Sequence, residues 1–142
     1  MNYWLFKSEP EAWSWDNQIA KGASGEPWSG VRNYQANNYM KQMQQGDLGF
    51  FYHSVKEKQI VGIVSVIKCH YPDPSDETGR FGMVDVMAVQ SFKKPVTLSM
   101  VKQHDILQKL PLVSQSRLSV MPIDRESWDI ICHLGQVSAV TK

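Results

Sequence analysis

The first eight residues place Tyr3 and Leu5 in alternation with Trp4 and Phe6, and the run stops at Glu9-Pro10, the pattern of a buried strand that ends in a turn. Ser14 then stands where a helix cap is needed. A short helix over Trp15–Lys21 is predicted, with Asp16 near its positive end and Gly22 as its stop. The following Ala23-Ser24-Gly25-Glu26-Pro27 is loop chemistry and is expected to deliver Trp28 to a surface. From Tyr34 to Gln45, Ala36, Tyr39, Met40 and Met43 follow helical spacing, closed by Gly46. Leu48, Phe50 and Tyr52 then alternate with Gly49, Phe51 and His53, the period of a strand, and Lys56-Glu57-Lys58 turns the chain into a hairpin. Ile60–Ile67 is nearly continuously apolar and β-branched, so it is predicted as a central strand covered on both faces.

Tyr71-Pro72-Asp73-Pro74 through Gly79 reads as a rigid polar excursion, because each proline fixes its own backbone and extends its predecessor. A strand over Met83–Phe92 is expected to end by Pro95, with Thr97 capping a helix through Lys102 or beyond and Leu107, Leu110 and Leu112 adding core. Arg117–Pro122 reads as a short strand stopped by its proline, and Asp124 caps a last helix with Trp128, Ile131, Cys132 and Leu134 on one face. No repeat or linker interrupts the series, so one domain over residues 1–142 is expected. Clustered strands joined by short turns predict an α+β fold with a mixed, strongly curved sheet and helices around it, and they disfavour a doubly wound nucleotide fold.

Charge changes this picture in one respect. Fifteen basic against fourteen acidic residues leave a net charge of +1, so no bulk field exists to hold the chain on a polyanion, and any nucleic acid must be gripped by a pocket or a short stripe. Two cysteines are too few for a disulfide scaffold and suggest a reducing compartment. The N-terminus lacks the basic-then-apolar pattern of a signal peptide, and no apolar run approaches the roughly 20 residues that cross a bilayer. A cytoplasmic or nucleoid-associated protein, monomeric and without a membrane, is the expectation.

Phosphate-binding glycine loops, the dinucleotide fingerprint, the nucleophile elbow and the His-Glu-x-x-His zinc motif are all missing from the sequence. Cys69-His70 and Cys132-His133 are the nearest approach to a metal set, but adjacent residues diverge on a strand or helix, so neither metal nor cofactor is expected. A catalytic arrangement would recruit His53 as base, Asp47 or Asp73 to orient it, and Ser8 or Ser54 as nucleophile; His53 and Ser54 are sequence neighbours and face apart. What stands out instead is aromatic residues beside polar ones at segment ends, a combination that suits a flat nitrogen heterocycle. Trp28 and Tyr52 are candidate walls, with Asn33, Ser8 and Glu9 as candidate readers of the base edge; Trp4, Trp13, Trp15 and Trp128 are assigned to core or cap. Arg117, inside the apolar stretch Leu110–Val120, is either a buried ion-pair member or a phosphate or carbonyl contact.

Several ordered motifs carry a resemblance: Tyr3-Trp4-Leu5-Phe6-Lys7-Ser8-Glu9-Pro10, Trp28-Ser29-Gly30-Val31-Arg32-Asn33-Tyr34-Gln35-Ala36, Gly46-Asp47-Leu48, Phe51-Tyr52-His53-Ser54, Tyr71-Pro72-Asp73-Pro74, Lys94-Pro95-Val96 and Ser116-Arg117-Leu118-Ser119-Val120. From Asn2 to about Ile131 the chain resembles the EVE domain family, kin to YTH and ASCH domains. The resemblance implies a PUA-like fold, a small curved mixed sheet or pseudo-barrel of about five to six strands with peripheral helices. It implies a non-enzymatic reader of a modified base in DNA or RNA, a modified cytosine such as 5-methylcytosine being favoured. By that likeness the pocket draws on Ser8 and Glu9, on Trp28, Asn33 and Tyr34, on Tyr52, His53 and Ser54, and on Arg117 and Ser119. Asn37 stands where the family commonly has Arg, which removes a cation from that helix, and Met83 stands where Trp is frequent. Two alternatives stay open: a PUA-type module for tRNA or rRNA with no modified-base requirement, and a small-metabolite binder or enzyme using His53 and Glu9. With so little net charge, a fused or partner protein would add affinity.

Overall fold

A computed structural model describes residues 1–137; the last five residues of the expected domain lie outside the described part. Six strands form one open sheet in the order β2-β5-β4-β3-β1-β6. They are β1 (Tyr3–Ser8), β2 (Glu26–Pro27), β3 (Leu48–His53), β4 (Gln59–Pro72), β5 (Gly82–Thr97) and β6 (Val120–Ile123). β1 and β3 run parallel while every other pair is antiparallel, which makes the sheet mixed, as expected. Around it lie α1 (Trp15–Ala20), α2 (Tyr34–Gln42), α3 (Leu98–Gln103), α4 (Pro111–Ser114) and α5 (Arg125–Leu134). None of these is long and apolar enough to cross a membrane.

The caps follow from local chemistry. Ser14 and Asn17 close a reciprocal capping box on α1, while Asn33, Thr97 and Asp124 each accept a backbone N–H at the start of α2, α3 and α5. Every residue of β3 is buried, because this strand lies deep in the sheet and both its faces are covered. Phe50 and Phe51 point to opposite faces and each collects an aromatic cluster. On one side Trp128 stacks 4.0 Å from Phe50 and 4.4 Å from Tyr3, and Phe92 meets Phe50 edge-on. On the other, Trp15 and Trp28 pack on Phe51 at 5.1 and 5.6 Å, and Trp28 also meets Phe6 at 5.2 Å. These two clusters hold the parallel pair β1–β3 in register, Leu5 beside Phe50 and Phe6 beside Phe51.

Several boundaries differ from the sequence reading, each for a tertiary reason. α2 ends at Gln42 rather than Gln45: Asp47 accepts the Gln44 N–H, Met43 turns extended and buried, and Gly46, at φ +95°, donates to Val66. β5 runs past Pro95 to Thr97, because the register jumps between Gly62 opposite Ser91 and Ile60 opposite Val96; the proline sits in the resulting bulge, where no ladder N–H is required. Pro122 lies inside β6 rather than stopping it, which an edge strand tolerates. Arg117 lies before β6, exposed, and makes no ion pair among the described residues, so the buried-pair alternative is excluded.

Candidate functional site

β1 and β3 end side by side, at Ser8 and His53, and the chain leaves both strands over the same end of the sheet. Beyond Ser8 the chain turns back at once: Ala12 and Trp13 donate to the Glu9 carbonyl, and Ser8 Oγ donates to the Trp13 carbonyl at 2.5 Å. Trp13 Nε1 donates to Gln18 Oε1, and buried Gln18 donates on to the Val86 carbonyl, so the indole is tied to the sheet. Opposite, the segment after Gly25 is pinned against β5. Gly25 has φ +69°, and a Cβ there would meet the Val86 carbonyl at 2.6 Å; three residues on, the Trp28 N–H donates to Val84 at 2.7 Å. Between these walls lies a cleft of about 350 Å³, lined by Lys7, Ser8, Glu9, Trp13 and Trp28 with Pro27 and Ser29 at its edge.

Trp28 is only 8% exposed, which corrects the expectation that its loop presents it at a surface: Phe6 and Phe51 draw the ring into the core, and only its rim reaches the cleft. Half-buried Trp13 is the wall that sequence reasoning assigned to core or cap. Its signal was weak, since no periodicity marks a tryptophan inside a short turn.

Two recesses adjoin the cleft. Lys7 is common to all three and is the residue around which they meet. Its ammonium donates to the Ser116 carbonyl at 3.0 Å, and burial lowers its pKa. One recess, about 350 Å³, brings Trp28 and Asn33 together with Arg117 and Ser119; Asn33 is also the α2 cap, its side-chain oxygen accepting from Ala36 at 2.9 Å. The other, about 580 Å³, unites Glu9, Tyr52 and Ser54 with Arg117 and Ser119. Burial pushes the Tyr52 hydroxyl up to about 12. Eight of the ten residues proposed from sequence therefore border the cleft or one of the two recesses that meet it at Lys7.

The remaining two lie elsewhere. Tyr34 is exposed on the outer side of α2, its ring 4.9 Å from Phe81 and its hydroxyl accepting from Arg80. His53 is buried, and its Nε2 accepts the Trp15 N–H at 3.0 Å, so the ring proton resides on Nδ1, 3.3 Å from Glu57. Neither carboxylate of the catalytic alternative orients it. Asp47 instead accepts from Trp4 Nε1, Asn2 and Gln44. Asp73 accepts from Gly30, Arg32 and Ser75, and thereby fastens the Trp28–Asn33 loop to the β4–β5 hairpin. Burial opposes ionisation of Asp73, but these hydrogen bonds outweigh it and hold the carboxyl at about 2. Asn37, where a cation would be usual, is buried: its carboxamide oxygen accepts from Gly82 N–H and lies 2.9 Å from His70 Nε2, which places this position under the hairpin. Met83 is buried too. Cys69 is exposed and Cys132 buried on α5, and no metal-competent cluster exists among the described residues.

The comparisons with known proteins agree with this architecture. The sequence model of the EVE domain matches residues 2–134. Thymocyte nuclear protein 1 of Gallus gallus is 35% identical over 166 residues, covering 94% of this chain and 69% of that protein. Among solved structures, protein Atu2648 of Agrobacterium tumefaciens is 46% identical with a TM-score of 0.95, covering 99% of this chain and 97% of that one. Human THYN1, solved in complex with 5-methylcytosine-containing DNA, is 31% identical with a TM-score of 0.89 and covers 97% of this chain and 99% of its own. The YTH domain of Zygosaccharomyces rouxii MRB1, 17% identical over 96% of this chain and 85% of that one, shares the fold at a TM-score of 0.58. A family model spanning nearly the whole sheet and its helices, together with relatives that superpose along the full described chain, shows that this protein belongs to the EVE domain family.

Proposed function

We propose that this chain is a non-enzymatic nucleic-acid-binding module that receives a modified base, with 5-methylcytosine the favoured ligand, in the cleft between Trp13 and Trp28. The observation that carries the reading is that cleft itself: about 350 Å³, the Trp13 indole for a wall with the rim of buried Trp28 opposite, and Lys7, Ser8 and Glu9 lining it with Ser29 at its edge. Such a composition suits a flat base, one face of which meets the Trp13 ring while its edge meets donors and acceptors. Support comes from the similar human THYN1, solved with 5-methylcytosine-containing DNA.

Ser8 Oγ spends its proton on the Trp13 carbonyl and is left as an acceptor, while the Glu9 carboxylate offers acceptors for an exocyclic amine. Lys7 supplies cationic donors to a base carbonyl. A base enters only when unpaired, and the unstacking cost of a few kcal/mol is smallest in single strands and damaged pairs. Burying one methyl contributes about 0.8 kcal/mol, about fourfold in affinity, so stronger discrimination must come from polar groups that the wrong base leaves unpaired. His53 and both serines of the catalytic alternative are committed to structural hydrogen bonds or separate recesses, which favours binding over turnover.

Titration of the protein with 5-methyl-2′-deoxycytidine, 2′-deoxycytidine and short DNA and RNA strands, read by tryptophan fluorescence, tests the proposal. The expected result is a response to the methylated ligand that Trp13→Ala abolishes in a folded protein. Equal binding of unmodified RNA, with no response to any modified nucleoside, overturns it in favour of a PUA-type RNA binder.

A further inference from the structure

The base cleft continues beyond its rim. Lys7 and Glu9 line both the cleft and the 580 Å³ recess, and Val55, Lys58 and Leu98 lead from that recess into a further depression reaching Lys102. Cations dominate this path. Lys56 is tied to Glu11, but Arg117, Lys58 and Lys102 are exposed, and their side chains form no hydrogen bond or ion pair among the described residues. Of the two carboxylates along it, Glu57 already contacts His53 and Gln59. Beside the cations the apolar surface open along the path is that of Val55, 60% exposed, and half-buried Leu98, with Tyr52 and Leu112 buried behind them.

We propose that this path is a binding track for a single nucleic-acid strand leaving the base cleft, with Arg117, Lys58 and Lys102 neutralising successive phosphates. The inference rests on the base-binding reading of the cleft and adds where the rest of the strand lies. A chain of net charge +1 cannot attract a polyanion from all sides, so three unpartnered cations on a single route from the cleft concentrate what attraction there is. The apolar surface favours a single strand over a duplex. Sugars and unstacked bases can cover exposed Val55 and half-buried Leu98, whereas a duplex presents only phosphates and groove edges.

The test compares the wild type with Lys58→Gln/Lys102→Gln, two exposed positions outside the base cleft. The probes are 5-methyl-2′-deoxycytidine and an eleven-nucleotide DNA strand with one central 5-methylcytosine, each titrated across a sodium chloride series. The track predicts unchanged nucleoside affinity, weaker strand binding at low salt, and a log–log salt slope shallower by about 1.4, since each phosphate that is no longer neutralised removes about 0.7. Normal nucleoside binding with unchanged strand affinity and slope overturns the track and leaves the base cleft standing. Strand binding weakened by the double variant, with no nucleoside binding in either protein, retains the basic path and overturns the base-binding reading instead. Failure to bind strand or nucleoside overturns both.

Discussion

Trp13 and Trp28 line the same cleft but differ in what their removal does. Trp28 packs on Phe6 and Phe51 with 8% exposure, so Trp28→Ala leaves a core cavity and is expected to cost about 3–5 kcal/mol in chemical denaturation, confounding any binding measurement. Half-buried Trp13 gives up a hydrogen bond to Gln18 and partial packing, so Trp13→Ala is expected to stay folded and lose base binding, as a fluorescence titration of the purified variant would show. His53 is a structural counterpart. His53→Ala leaves the buried Trp15 N–H without its acceptor and is expected to cost about 1–3 kcal/mol in the same denaturation assay, with nucleoside binding retained; loss of binding without loss of stability would return His53 to the site. Ser8, Glu9 and Trp28 were legible because aromatic and polar residues met at a segment end. His53 and Tyr34 share that local pattern, and only the partners they reach across the fold separate them from the cleft.

Among the elements, β4 and the β4–β5 hairpin carry the site although they contribute no wall to the cleft. Gly62 on β4 faces the Trp15 indole so closely that a Cβ would overlap it. Gly62→Ala therefore overpacks the Phe51 cluster, with an expected loss of about 1–3 kcal/mol in thermal or denaturant unfolding and a disturbed Trp15–His53 contact. Asp73, at the hairpin's start, holds Gly30 and Arg32 in the loop that follows Trp28. Asp73→Asn weakens both contacts and is expected to lower base affinity severalfold through a loosened loop, measurable by the same titration at neutral pH. Local pattern and side-chain chemistry predicted β3, the start of β4 and the caps of α1, α3 and α5, since those depend on near neighbours. β4 runs past Ile67 to Pro72, through the Tyr71-Pro72 read as a polar excursion, because it pairs there with Gly82 and Met83 of β5. The end of α2 and the passage of β5 through Pro95 were not legible, because Asp47 and a register jump against β4 decide them.

At the scale of the whole molecule, stability should fall in acid. Asp73 has a pKa of about 2 in the fold against 3.8 for the free side chain, so the unfolded chain takes up its proton first as pH falls. Its contribution is complete above about pH 5 and is lost as pH drops through the folded value near 2. Asp124, whose pKa is also lowered, shifts stability in the same direction: burial opposes ionisation, and the side chain and backbone of Ser127 overcome it. Denaturant midpoints measured from pH 6 to pH 2 are expected to decline throughout the lower range, and less steeply in Asp73→Asn; equal slopes for the two proteins would remove Asp73 as a contributor.

By itself the sequence determined the alternation of strands and helices, the caps, the mixed sheet and the family, because these rest on side-chain period, local hydrogen bonding and long ordered motifs. It also brought Ser8, Glu9 and Trp28 of the cleft into view, but not Lys7 or Trp13. Which tryptophan is a core residue and which a wall, which histidine is already satisfied, and that Lys7 joins three recesses were decided only by tertiary structure. The reason is physical. A side chain's type states which interactions it can make, but the partners that use them up stand 38 or 43 residues away in the chain, as for Trp15 with His53 and for Gly30 with Asp73, and the fold alone brings them within hydrogen-bonding distance.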